Sequence, residues 1–412
     1  MRLFLLFFFL SLAPLSAQGL NIKVNAKSAI LYNPDTCSIV FQKKAKEPHY
    51  PASILKIATA LFVLDQKNLD LQKMCVASKD ALAVVLADEK QSDFLSYPPY
   101  VIEHDGVTIG LKEGKGYSVE ALLHGLLLES GNDAANVLAE GVGGTVPHFM
   151  EELNLYLQKR GIHQTRFQNP HGLLHPAQMT TAYDMALIAG LAFKNLKFCQ
   201  IVTTPTYLFH EGKTLVNTNR LLKEGKYQYA KYLGGKTGYI ASAGYNLVAA
   251  AEDKGRKLIV VLLGCESAKN HFEDAINLFE AAFQEKEENR LLFSKDHECF
   301  LRKMPKNGEA LQASLKEDVV IHYFPTEEPD LQAKLLWHKL KQKHAANDVV
   351  GRLVVENGEG IELISAPLFA VCASERKHAI HWVFWLLGFL VLVGGIAFYK
   401  KAGKVKGNCK KM

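Results

Sequence analysis

The sequence reads as an α+β chain of more than one domain, on three observations. Apolar tracts of helical character occupy residues 52–65, 121–128, 147–160, 185–193 and 268–285. Antiparallel strand hairpins stand at 29–42 and 245–264. Beyond residue 285 the composition shifts to a charge run and then to short strand-like pieces. The 412 residues give length for two or three domains.

The chain opens on Met1-Arg2, an apolar run from Leu3 to Leu15, and Ser16-Ala17-Gln18. A basic start, an apolar core and a small residue at the cut make residues 1–17 a secretory signal peptide cleaved after Ala17, since the run is short for a membrane span. At the other end, Ala379–Tyr399 carries no acidic or basic group except His381 and is long enough to cross a bilayer, with Trp382, Trp385 and Tyr399 at its edges. Six lysines follow in the tail 400–412. Positive residues stay inside, so the expected product is a single-pass protein of the cell (inner) membrane whose body is extracytoplasmic. The net charge of +6 equals the charge of those six lysines. The body is therefore near neutral, which argues against a nucleic-acid partner. Seven scattered cysteines form no Cys-x-x-Cys pair, which argues against a zinc site, and Cys265 at the end of an apolar strand reads as a buried thiol.

Taken in order, Ala29–Tyr32, the turn Asn33-Pro34-Asp35-Thr36 and Ser38–Gln42 predict the first hairpin. Pro51 suits a first helical turn, and an almost wholly apolar helix follows it to about Asp65. Residues 75–117 read as loops. Ser118-Val119-Glu120 caps the next helix, which stops at Glu129–Asp133, and another begins at Ala134. Asn169–Pro176 is a loop, and Thr181-Ala182-Tyr183-Asp184 resembles a capping box opening Met185–Phe193. Residues 200–235 suit short strands and a long connection, leading to a Lys-Thr-Gly stretch at the start of the second hairpin. After the linker-like run Glu285–Arg290, the pieces Val319–Phe324, Val349–Val355 and Gly360–Ser365 suggest a small β-rich domain, residues 286–375.

Three short patterns carry chemistry. Ser53 and Lys56 are three residues apart, on one helix face. A serine hydroxyl is a poor nucleophile until a base takes its proton, and a lysine desolvated by apolar neighbours has its pKa lowered toward that task. Ser130-Gly131-Asn132 sits at the corner between two apolar helices, where polar side chains point into a cleft. Lys236-Thr237-Gly238 presents an ammonium and a hydroxyl, with glycine leaving room for a ligand against a strand. Each alone is weak: a chance Ser-x-x-Lys, a capped turn, a basic surface turn. Their joint occurrence, in this order and in an exported chain, is specific.

On these motifs the chain resembles the low-molecular-mass penicillin-binding proteins that act as D-alanyl-D-alanine carboxypeptidases, peptidase family S11. The likeness covers about residues 26–285 and extends to Ser130–Ala135, His171-Gly172-Leu173 and Ala243–Leu247. It implies a β-lactamase/transpeptidase-like fold for residues 18–285: an antiparallel sheet flanked by helices plus an all-α lobe. It also implies acyl transfer without metal or organic cofactor. Ser53 would attack the carbonyl between the two D-alanines of a peptidoglycan stem pentapeptide. Lys56 would be the base, Ser130 would pass a proton to the leaving D-alanine, and Asn132 would hold Lys56 and the substrate amide. Lys236 and Thr237 would bind the terminal carboxylate beside Gly238, and the N–H groups of Ser53 and Tyr239 would form the oxyanion hole. β-Lactams would acylate the same serine.

Two departures bear on deacylation and substrate preference. Many relatives carry Asp after His-Gly-Leu, where this chain has Leu174, and others keep His after Lys-Thr-Gly, where it has Tyr239. Glu151-Glu152-Leu153-Asn154 imitates the Glu-x-x-Leu-Asn of class A β-lactamases, but the required Glu position holds Met150. The alternatives are a DD-endopeptidase or weak β-lactamase within the same chemistry, and a non-catalytic murein-binding or divisome scaffold outside it. The missing Glu argues against an efficient β-lactamase. The intact set Ser53, Lys56, Ser130, Asn132 and Lys236 argues against a scaffold.

Overall fold

The structure, a computed structural model, describes residues 10–12, 19–94, 96–303, 310–338, 344–358 and 360–371. It divides into two units: one holds the described residues up to Glu288, except Leu10–Leu12, together with Tyr323–Pro329, and the other holds the remainder.

The first unit is built on a five-stranded antiparallel sheet. Its strands are β1 (Ser28–Asn33), β2 (Ser38–Lys43), β3 (Tyr232–Ile240), β4 (Gly244–Asp253) and β5 (Arg256–Cys265), in the spatial order β3-β4-β5-β1-β2. Both faces are buried, and the period of two sorts the side chains. Leu247, Ala249 and Ala251 stand opposite Leu262, Val260 and Leu258 on one face. Val248 and Ala250 stand opposite Val261 and Ile259 on the other. The turn between β4 and β5 places Lys254 and Gly255 at φ +51° and +82°, the two left-handed residues a tight hairpin needs.

Seven helices shape this unit: α1 (Lys56–Leu64), α2 (Val119–Leu128), α3 (Asn132–Gly143), α4 (Val146–Gln158), α5 (Ala182–Ala192), α6 (Leu196–Val202) and α7 (Ala268–Phe283). A shorter helix, Ala87–Ser92, lies within the stretch read as loops. Helix α7 covers one sheet face with Phe272, Ala275, Leu278 and Phe279. Helix α1 is apolar all round because it is enclosed all round, packing on α2, α3, α4, α5 and α6. The caps expected at Ser118 and Thr181 form, accepting from the N–H groups of Ala121 and Asp184. The reciprocal half of the second cap does not form, because the Asp184 carboxylate turns to Gln164 N and Thr165 Oγ1.

Glu285, read as part of a solvated charge run, is a half-buried partner. Its Oε2 accepts from Arg256 Nη2 at 3.0 Å and from Thr326 Oγ1 at 2.8 Å. The segment Tyr323–Pro329 returns to the first unit and inserts Glu327, whose oxygens accept from Arg256 Nε at 2.8 Å, Asn33 Nδ2 at 2.7 Å and Thr36 Oγ1 at 3.0 Å. Removing one member of a buried pair strands the other charge, which costs about 3–5 kcal/mol. Glu327→Ala leaves Arg256 paired with Glu285 alone, so it is expected to destabilise the first unit by up to about 3–5 kcal/mol. Denaturant unfolding followed by circular dichroism reads this, and an unshifted midpoint contradicts it.

In the second unit, strands lie in the order Leu10–Leu12, Leu331–Trp337, Val349–Asn357, Glu362–Ala370, Ala310–Ser314 and Cys299–Lys303. Three of these, Cys299–Lys303, Ala310–Ser314 and Leu331–Trp337, are absent from the sequence reading. The first alternates between exposed and half-buried residues, so it carries no apolar period. Of the leader read at 1–17, only Leu10–Leu12 is described, as a strand beside Leu331–Trp337 with Leu10 opposite Ala333. The span at 379–399 and the tail at 400–412 lie outside the described residues. Among the described residues no single helix is long and apolar enough to cross a membrane.

Candidate active site

Ser53 does not begin an α-helix. It lies in a 3-10 turn, Ala52–Leu55, that precedes α1. Ala52 ahead of it is held at φ +48°, a region that costs a residue with a Cβ and recurs at functional sites. Two glycines make room for this turn. A Cβ on Gly172, itself at φ +95°, would lie 2.1 Å from the Ala52 carbonyl oxygen, and one on Gly238 would lie 2.8 Å from Ser53 N. Asn246 ties the approach to the turn: its Nδ2 donates to the carbonyls of Tyr50 and Pro51 at 2.9 and 3.0 Å, and its Oδ1 accepts from Gly264 N at 2.8 Å.

Lys56 is fully buried at the first turn of α1. Its Nζ lies 2.9 Å from Ser53 Oγ, 2.8 Å from Asn132 Oδ1 and 2.7 Å from the His171 carbonyl oxygen. Burial, and then the Lys236 ammonium, hold its pKa well below the ordinary lysine value, against the opposing pull of Asp133. An amine held beside a serine hydroxyl and inclined to be neutral is a base in place.

The corner between α2 and α3 turns at Ser130, which takes φ +68°. Gly131 has an ordinary φ of −56°, and what requires glycine there is space, since a Cβ would meet Asp133 Oδ1 and Ile109 Cγ2, each at 2.9 Å. The buried Asp133 carboxylate accepts from Ile109 N and Leu111 N, and Asn132 N donates to the Val107 carbonyl at 2.8 Å. The corner is thus locked to residues 107–111, which aims Asn132 at Lys56. Ser130 itself is half-buried at the entrance to this corner.

Lys236, Thr237 and Gly238 lie within β3, an edge strand that leads into the predicted hairpin and that the sequence reading did not identify. Strand character is hidden in the sequence by Gly234, Gly235 and Gly238. Gly235 is required because a Cβ there would lie 2.1 Å from the Val248 carbonyl oxygen. Lys236 is buried, its Nζ donates to the Thr237 carbonyl at 3.0 Å, and burial pulls its pKa down to about 7. Thr237 is half-buried. Tyr239 is 55% exposed and packs its ring on Tyr245, centroids 4.4 Å apart.

The structure therefore joins Ser53, Lys56 and Asn132 by direct hydrogen bonds, brings Gly238 against Ser53, and sets Lys236 within electrostatic reach of Lys56. His171 and Asn246 were outside the predicted site. The His171 ring is buried and neutral: Nε2 donates to the Tyr100 carbonyl and Nδ1 accepts from Leu173 N, while burial and the Lys90 and Lys56 charges hold its pKa well down. A lone Asn inside the apolar strand 245–251 was the available signal for Asn246. Glu151 and Glu152 are exposed on α4, away from this cluster, while Asn154 bonds the backbone of Met150 and Phe167.

A buried lysine bonded to a serine hydroxyl, an asparagine from a neighbouring corner and a Lys-Thr-Gly edge strand make the constellation of the penicillin-binding class. The family model described as D-alanyl-D-alanine carboxypeptidase, peptidase S11, matches residues 15–267, and the chain belongs to that family. It is similar to the D-alanyl-D-alanine carboxypeptidase DacF of Bacillus subtilis, 30% identical over 270 residues that cover 65% of this chain and 64% of DacF. It is also similar to DacD of Salmonella typhimurium, 28% identical over 333 residues, 80% of this chain and 82% of that protein. Among solved structures, DacD of Francisella tularensis superposes with a TM-score of 0.60 at 25% identity, over 87% of this chain and 95% of that one. Penicillin-binding protein 6B of Escherichia coli gives 0.59 at 25% identity, over 84% and 95%. The sheet-and-helix architecture is that of these penicillin-binding proteins.

Proposed function

We propose that this chain is a serine-type D-alanyl-D-alanine carboxypeptidase that removes the terminal D-alanine from peptidoglycan stem pentapeptides. The observation that carries the reading is the 2.9 Å contact between Lys56 Nζ and Ser53 Oγ inside an apolar enclosure. Neutral Lys56 takes the Ser53 proton as Oγ attacks the penultimate carbonyl. The developing oxyanion is met by the N–H groups of Ser53 and Tyr239, because β3 passes directly over the serine turn. The C–N bond then breaks, and the leaving D-alanine takes its proton through Ser130. Asn132 holds Lys56 and the substrate amide. Lys236, with Thr237, receives the free carboxylate, whose arrival favours the charged form of the ammonium. Water finally attacks the ester and returns Ser53 and D-alanine-shortened peptide.

β-Lactams present a carbonyl and a carboxylate in the same relation and are proposed to acylate Ser53. We further propose, from the sequence patterns alone, a signal peptide at 1–17, a span at 379–399 and a basic tail at 400–412, an arrangement that makes the catalytic domain extracytoplasmic and anchored in the cell membrane with residues 286–375 as the stalk. No glutamate faces the site from α4, which favours a long-lived penicilloyl adduct over β-lactamase turnover. The test is release of D-alanine from a synthetic pentapeptide ending in D-Ala-D-Ala, compared with the same peptide amidated at its C-terminus. Free D-alanine from the first and little D-alaninamide from the second is expected. No release from either by a folded protein contradicts the proposal.

A further inference from the structure

Lys90 and Glu103 form an ion pair that the reaction above leaves unused. Lys90 is 1% exposed and Glu103 is 7% exposed, and their charged groups lie 3.6 Å apart. Lys90 Nζ also donates to the Val101 carbonyl at 2.9 Å. Burying two charges costs several kcal/mol per ion and returns little net stability, so such a pair is better explained by what it holds in register.

What it holds is residues 99–107. Ile102–Glu103 forms a short parallel ladder with Val84–Val85, next to the helix that carries Lys90. Upstream of Glu103, the Tyr100 carbonyl accepts from His171 Nε2 at 3.0 Å and the Pro99 carbonyl accepts from Asn169 Nδ2 at 3.2 Å. Downstream, the Glu103 carbonyl accepts from Gly106 N at 2.7 Å. A Cβ on Gly106 would stand 3.0 Å from Asn132 Nδ2, and the next carbonyl, of Val107, accepts from Asn132 N at 2.8 Å. One segment thus fixes both His171 and Asn132. These supply the two oxygens, other than Ser53 Oγ, that hold Lys56 Nζ. The Lys90 charge also helps keep the His171 ring neutral, the only form in which Nδ1 can accept from Leu173 N.

We infer that Lys90 and Glu103 are positioning residues for acylation: their ion pair fixes the segment that aims the Lys56 amine at Ser53. This rests on the carboxypeptidase reading and adds to it a device outside the three motifs. The carboxylate-binding residues are on β3, so the segment reaches substrate binding only through the Asn132 contact to the substrate amide.

The test uses the full-length protein with two variants, Glu103→Gln and the double variant Lys90→Met with Glu103→Leu. The double variant replaces both charges with apolar groups and so avoids stranding either one. Each preparation is counted by titration with penicillin, so rates refer to folded sites. Displacing a catalytic group by about 1 Å costs up to about 100-fold, so kcat for D-alanine release and the penicillin acylation rate are expected to fall between about 10- and 100-fold, with a smaller change in KM through the Asn132 contact to the substrate amide. The double variant is expected to keep a near wild-type unfolding midpoint while retaining the rate defect, a split that a purely structural pair does not give. Wild-type kcat in a folded variant, or loss of folding in both variants, overturns the inference. Wild-type protein that releases no D-alanine defeats the carboxypeptidase reading instead.

Discussion

Lys56→Ala is expected to slow acylation of Ser53 by penicillin by about 100- to 10,000-fold, the range a positioned general base supplies. Alanine takes the donor from Asn132 Oδ1 and the buried His171 carbonyl, a cost of about 1–3 kcal/mol each that leaves the apolar packing of α1 in place. The variant should therefore fold, and its defect should lie in the acylation rate. The pH profile carries the sign. Only the neutral amine accepts the serine proton, so the wild-type rate rises with pH as the ammonium dissociates. Burial and the Lys236 charge lower that pKa well below the lysine norm, so the rise comes at lower pH than for a free lysine. Lys56→Ala should lose this rising limb. Stopped-flow acylation with a chromogenic cephalosporin measures both, and a variant with wild-type rate and profile removes Lys56 as the base.

The second large effect is at Lys236. A hydrogen bond to a charged group is worth about 1.5–3 kcal/mol, so Lys236→Ala should lower kcat/KM for a peptide with a free C-terminus by roughly 10- to 150-fold. The same change should matter much less for an amidated peptide, which has no carboxylate to lose. In the free enzyme Lys236 is poised at about 7 by burial. Above that pH the unliganded site loses its cation, so wild-type kcat/KM should fall on the alkaline side, giving a bell with the rising limb of Lys56. Removing Lys236 should abolish the falling limb. It should also move the rising limb to higher pH, because the charge that helps depress Lys56 is gone. The two lysines titrate as a pair, so the limbs belong to the pair. An unchanged alkaline limb in Lys236→Ala contradicts this assignment.

The proposed nucleophile and base were legible because their chemistry contradicts their surroundings. Lys56 is a charge in an apolar helix, and Ser53 stands one turn before it. Two parts of their geometry were not legible. The serine occupies a 3-10 turn behind a left-handed alanine, and nothing in Pro51-Ala52-Ser53 announces a strained Ala52. At the α2–α3 corner the unusual φ falls on Ser130 and not on the neighbouring glycine, whose role is space. Lys-Thr-Gly was singled out as a motif but its strand was not read, since Gly234, Gly235 and Gly238 conceal a strand that β4 closely approaches.

The supporting residues were hidden for a different reason. Lys90 and Glu103 lie in a polar stretch, where charges ordinarily face water, and their burial follows only from tertiary contacts. Glu285 and Glu327 were likewise concealed, because their partner Arg256 is distant in sequence from Glu327 and sits in a surface-like turn. In the second unit the strand pair Cys299–Lys303 and Ala310–Ser314 buries only Ala313, so no apolar alternation marks it.

The account stands on Ser53 becoming acylated with Lys56 beside it, and intact-protein mass measurement with benzylpenicillin tests this most directly. Wild type should gain one penicilloyl group that persists after excess drug is removed, and digestion should place it on the peptide containing Ser53. Ser53→Ala, folded by circular dichroism, should gain none. A wild-type protein that stays unmodified, or a Ser53→Ala protein that is modified to the same extent, contradicts the account.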